Sequence, residues 1–235
     1  MHVDADKVFA ERSTETPHER FELTLHAADR SAIVGALVLY DSPRSGNAYK
    51  VRLLLAHVGL PYERRFVDVV DRSNPRDELA ELNPTRRVPT LVLDDGRPLG
   101  ESAAILWYLG DGTRFVPDEP YARAQVLQWL AFELSEHQPG FTVARFLITF
   151  SGRRAHHAAL IAERQKLARR ALGVMERHLD GRTFFVGDSM SPADIALYAY
   201  THIAHEAEID LEPYAAVRAW LARVAAVPGH VPMDA

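Results

Sequence analysis

The period of the apolar residues changes near the middle of the chain. From 36 to 109, strand-type runs alternate with helix-type spacing. "ALVLY" (36–40) is a short buried-strand run, whereas Val51, Leu54, Leu55 and Val58 recur at i, i+3, i+4 and i+7, one face of a helix over 47–58. Gly59 and Pro61 stop that helix. The pattern goes on as a strand at 62–69, a short irregular helix near 75–82, a strand at 90–93, a turn at "DDGR", a strand at 98–100 and a helix at 102–109. After "DGTRFVPDEP" (111–120), a linker containing Gly and Pro, every segment reads as helix. Leu127, Leu130 and Leu134 form a stripe ended by Pro139, and further helices follow at about 142–151, 154–179, 192–206 and 214–226.

A βαβ unit followed by a ββα unit predicts a four-stranded mixed sheet with helices packed on it. The helices after the linker predict a second, all-helical domain, giving domains at 35–112 and 118–235. Residues 1–34 are polar and poorly periodic and read as a flexible extension outside the fold.

Composition narrows the function classes. The chain has 235 residues, 47% hydrophobic and 25% charged, as expected of a soluble globular protein. A net charge of −5 supplies no polybasic footprint for nucleic acid or an anionic membrane. No apolar run approaches the roughly 18 residues of a spanning helix. The absence of cysteine removes disulfides, thiolate metal sites and a protein thiol nucleophile, and makes the cytoplasm the default location. His156 and His157 are adjacent and cannot face one way on a helix, so no metal site is expected. "ERQKLARR" (163–170) reads as a solvated helix face. "SPADIALY" (191–198) reads as N-cap Ser191, Pro192 at the first helical position and Asp194 beside them, a folding signal.

Two stretches carry candidate chemistry. "DSPRSGNAYK" (41–50) brings the hydroxyls of Ser42 and Ser45 and the amide of Asn47 to the start of a helix, with Tyr40 at the preceding strand end. "NPTRRVPTLVLDDGRPLGESAAILWYL" (83–109) joins Asn-Pro, a basic residue, Val-Pro entering a strand, and Glu-Ser opening a helix. Pro89 cannot donate to a ladder and so belongs at a strand start or edge.

These motifs, in this order, resemble the glutathione transferase family, and the resemblance covers nearly all of 36–230. It implies a thioredoxin-like α/β first domain and an all-α second domain, an enzyme using glutathione as co-substrate with no cofactor, and a homodimer. By resemblance, Val88–Pro89 is cis and leaves the Val88 backbone free to pair with the peptide ligand. Arg87 would clasp the glycine carboxylate, Ser102 the γ-glutamyl carboxylate, and Glu101 the ligand ammonium. Arg86 departs from the family, which usually has Gly there. The thiolate would be held by Ser45, five residues before Lys50, with Asn47, then Tyr40 or Ser42, as alternatives. Glu133, His137 and Arg145 lie on helices that line the electrophile pocket in the family, although Glu133 and His137, four apart, also suit a surface ion pair. The reaction would be attack on a small hydrophobic electrophile, or reduction of a peroxide or disulfide. The alternative is a non-catalytic ligand-binding or regulatory protein on the same fold.

Overall fold

The computed structural model describes residues 37–69 and 77–235; the N-terminal extension and part of the 75–82 segment lie outside the described residues. The sheet contains β1 (Leu37–Asp41), β2 (Tyr62–Phe66), β3 (Thr90–Val92) and β4 (Pro98–Leu99), in the order β2-β1-β3-β4. β1 pairs parallel with β2, Leu39 opposite Arg64, and antiparallel with β3, Leu39 opposite Leu91. A parallel neighbour needs a crossover. α1 (Gly46–Val58) supplies it, and α2 (Ser102–Gly110) follows β4. The period of two in β1 divides its side chains: Leu37 and Leu39 enter the main core, whereas Tyr40 joins Val67 and Leu79 in a small separate cluster.

α1 is not the half-exposed amphipathic helix its spacing suggested. Ala48 through Leu55 are all buried, because helices from the second half of the chain, α6 above all, cover the face turned away from the sheet. Lys50 and Arg52 are buried with the rest and need partners there. Arg52 and Arg64 of β2 both form ion pairs with the buried Asp41, and Arg52 also donates to the Met233 and Ala235 carbonyls.

The helical half comprises α3 (Pro120–Phe132), α4 (Gln138–Arg145), α5 (Ala158–Leu179), α6 (Pro192–Thr201) and α7 (Ala215–Ala225). Pro139 does not end the first of these segments. The helix continues through a π turn at Glu133–His137, where the Gln138 N–H reaches the Glu133 carbonyl five residues back. The extra residue lets the missing proline N–H fall in the first turn of α4, where no partner is required. Beyond α6 the chain tightens into a 3-10 turn at Ala204–Ala207 instead of running helical to 206. Asp194 anchors the start of α6: its carboxylate accepts the Ser191 N–H and hydroxyl, the Phe185 N–H and the Trp220 indole N–H. Buried side chains from both halves form one continuous core, so the linker marks a change of architecture without a break in packing.

Candidate active site

The start of α1 organises the site. Ser45 is its N-cap, and its Oγ accepts the Ala48 N–H at 3.2 Å. That bond occupies an oxygen lone pair and leaves the hydroxyl proton available to donate. The first turn of α1 contains no acid, so nothing there offsets the positive end of the helix dipole. Tyr200 of α6 closes over this turn. Its hydroxyl accepts the Asn47 N–H, and a Cβ at Gly46 would lie 2.6 Å from Tyr200 Cζ, so only glycine fits there unshifted. Burial pushes the Tyr200 phenol well above its ordinary value of 10.0, so it keeps its proton.

Across from this turn, Asn83 shapes the loop before β3. Its Nδ2 donates to the Arg87 carbonyl and to Thr90 Oγ1, while its Oδ1 accepts the Thr85 N–H. Arg86 adopts φ +49°, the left-handed conformation suited to the glycine of the family pattern. The Val88–Pro89 bond is cis. Neither the N–H nor the C=O of Val88 bonds to any described residue. At the start of α2, Glu101 is exposed with φ +61° and ψ 114°, a rare conformation for a residue with a side chain. Ser102 is 4% exposed and its hydroxyl makes no hydrogen bond with the described residues.

A cleft of about 1280 Å³ lies between the two halves, with Ser45, Arg87 and Val88 on one side and Arg145, Phe150 and Tyr200 on the other. Arg145 ties the walls together: Nη1 donates to the Arg44 carbonyl and Nε to Glu206, each at 2.7 Å. Glu101, Ser102 and the buried Pro89 lie outside this lining, as do the buried Ser42 and the side chain of Asn47, whose Oδ1 is buried without a partner.

Three expectations need correction. Tyr40 is on the other face of the sheet, as strand alternation requires, and its hydroxyl accepts from Arg65 at 3.0 Å. Glu133 and His137 are wholly buried, so they form neither an electrophile pocket nor a surface pair. Glu133 Oε1 accepts from Lys50 at 2.7 Å, and His137 Nε2 lies 2.9 Å from Thr201 Oγ1. Because Thr201 donates its own proton to the Leu197 carbonyl, His137 Nε2 carries the proton in that pair. Burial alone would raise the Glu133 carboxyl, but Lys50 and His137 bring it below its ordinary 4.5, while burial draws the Lys50 ammonium below its ordinary 10.5 against the pull of Glu133.

Tyr200, Arg44 and Phe150 belong to the cleft, and sequence reasoning missed them. The only signal for Tyr200 was its place two residues beyond "SPADIALY"; which way it faces depends on how α6 packs.

The glutathione S-transferase N-terminal domain family matches residues 44–111, and the glutathione S-transferase C-terminal domain family matches residues 140–228. The disulfide-bond oxidoreductase YfcG of Escherichia coli K12 is 30% identical over 205 residues, 81% of this chain and 90% of that protein. The chain belongs to the glutathione S-transferase family. Among solved structures, a glutathione S-transferase from Pseudomonas fluorescens Pf-5 is 43% identical with a TM-score of 0.82, covering 85% of this chain and 99% of that one. A family member from the same organism, solved with two glutathione bound, is 29% identical with a TM-score of 0.74, covering 83% of this chain and 90% of that one. This chain is thus an enzyme with glutathione transferase function, combining a mixed-sheet first half and a helical second half. Among the described residues of the transferase, no helix is long and apolar enough to cross a membrane and no acid–histidine cluster could hold a metal.

Proposed function

We propose that the transferase binds glutathione along the face from Arg87 to Ser102 and ionises its thiol at Ser45 for attack on a small electrophile. The observation carrying this reading is Ser45 itself, an N-cap hydroxyl with its proton free, opening on the cleft at a helix end with no first-turn acid. The unbonded Val88 backbone suits an extended peptide, as in strand addition. Ser102 and the α2 N-terminus suit the γ-glutamyl carboxylate, and Arg87 the glycine carboxylate.

The energetics are modest. A thiol of pKa about 8.5 becomes mostly thiolate at neutral pH if its pKa falls by about two units, or roughly 2.7 kcal/mol. A hydrogen bond to a charged group contributes about 1.5–3 kcal/mol and a helix N-terminus up to about 1. With an aryl halide, the sulfur lone pair forms the C–S bond, the C–halogen bond breaks, halide leaves, and the thiol proton goes to water. Disulfide or peroxide reduction would run on glutathione thiols alone, since the chain has no cysteine. A cytoplasmic homodimer completes the proposal, resting on family membership; light scattering at micromolar concentration tests the dimer.

The functional test is calorimetric titration with glutathione beside turnover of an activated aryl halide. The expected result is binding that weakens about tenfold or more in Ser102→Ala, the loss of one charge-assisted hydrogen bond. Unchanged affinity in both Ser102→Ala and Arg87→Gln would overturn the assignment of this face.

A further inference from the structure

The cleft is charged against the rest of the molecule. The chain carries a net charge of −5, yet among the described residues the cleft lining contains five arginines, at 44, 86, 87, 145 and 153, and no carboxylate. Bound glutathione, with two carboxylates and one ammonium, is a net anion of about one charge. The proposed glutathione face already supplies Arg87 for one carboxylate and Ser102 with a helix end for the other. Arg86 lies within 3.5 Å of Asp77. Arg44, Arg145 and Arg153 remain.

These three line the same cleft as the apolar side chains of Phe146, Phe150 and Leu160. The guanidinium carbons of Arg44 and Arg145 lie 5.5 and 5.1 Å from the centroid of the Phe150 ring. Arg145 is fixed by Glu206 and the Arg44 carbonyl, its side chain only 9% exposed, and its Nη2 makes no hydrogen bond with any described residue. Neither Arg44 nor Arg153 has a carboxylate partner among the described residues. A cleft built for neutral hydrophobic electrophiles gains nothing from Arg44 and Arg153, which have no carboxylate partner among the described residues, beside the Glu206-paired Arg145. Guanidinium groups held over an aromatic ring suit a flat group ending in a carboxylate, which they bond through paired N–H donors.

We infer that the acceptor half of the cleft is built for an aromatic electrophile bearing a carboxylate, held by Arg44, Arg145 and Arg153 against Phe150. The inference rests on the glutathione reading above, and the 1280 Å³ volume exceeds the roughly 300–1,000 Å³ of pockets for a single small ligand.

The test is equilibrium binding of two conjugates by calorimetry: glutathione S-linked to a nitrobenzoic acid, and the methyl ester of that same aryl acid. The acid conjugate is expected to bind about tenfold tighter or more than the ester, and its advantage to shrink as salt is raised. In the Arg44→Gln/Arg153→Gln double variant the advantage should largely disappear. Kinetics with chloronitrobenzoate and its methyl ester should show the same preference as a lower KM for the acid. Equal binding of the two conjugates overturns this inference and leaves the glutathione reading standing. Failure to bind either conjugate or glutathione overturns both. Tighter binding of glutathione disulfide than of the acid conjugate would overturn the aromatic assignment.

Discussion

Lys50 Nζ lies 2.7 Å from Glu133 Oε1, with both side chains fully buried. The pair joins α1 to the π turn after α3 and holds the two halves of the transferase around the cleft. Breaking one side of a buried pair strands an uncompensated charge, which typically costs about 3–5 kcal/mol. Glu133→Gln and Lys50→Met should each destabilise strongly in urea unfolding. The double variant Lys50→Met/Glu133→Leu should recover much of the loss, because neither half of the pair then leaves a charge buried without its partner. A double variant no better than the worse single one would mean that geometry, not charge pairing, dominates the cost.

Ser45→Ala should keep glutathione affinity but lower turnover of an aryl halide by about 10-fold to 100-fold. Removing a charge-assisted hydrogen bond should raise the pKa of the bound thiol by about one to two units, moving the pH–rate profile upward with partial recovery near pH 8–9. Asn47→Ala is the comparison. If it collapses the rate while Ser45→Ala changes neither rate nor profile, the amide is the donor.

Glu101 sets stability against binding. Its backbone at φ +61°, ψ 114° is strained for a residue with a side chain, at a cost on the order of 1–3 kcal/mol. Glu101→Gly should raise Tm by a few degrees while weakening glutathione binding, measured by calorimetry and thermal melts on the same sample. A variant that loses stability would show that the side chain stabilises the fold by more than the strain costs.

Burial draws His57, His202 and His230 below their ordinary 6.5. The sign follows from linkage: the unfolded chain takes up protons first as pH falls through 6.5, so stability is complete above that value and lost below it. His57 and His230 lie 6.4 Å apart, ring to ring, and His57 Nδ1 is 3.1 Å from the Pro228 carbonyl. Tm should therefore fall between roughly pH 7.5 and 5.5, and more steeply in wild type than in His230→Gln. Identical slopes in the two proteins would exclude His230 as a contributor.

The sequence by itself determined the order of the elements, the mixed sheet, the cap at Ser45 and the motif from Asn83 to Leu109. Those features are local: periods of two and 3.6, and caps and turns whose residues act within a few positions of one another. Tertiary structure alone decided which sides of the helices would be buried. Spacing shows one apolar stripe on α1, but α6 closes the opposite side, so Lys50 and Arg52 had to find Glu133 and Asp41. Glu133 and His137 share a helix face by spacing, and nothing local says that this face meets α1 and Thr201 instead of solvent. Pro139 read as a stop because a proline's missing N–H normally breaks the ladder; the π turn that absorbs it depends on the helices packed around it. The cleft is the clearest case. Arg44, Arg145, Arg153 and Tyr200 come from four separate segments, and their convergence is a property of packing that no short stretch of the chain encodes.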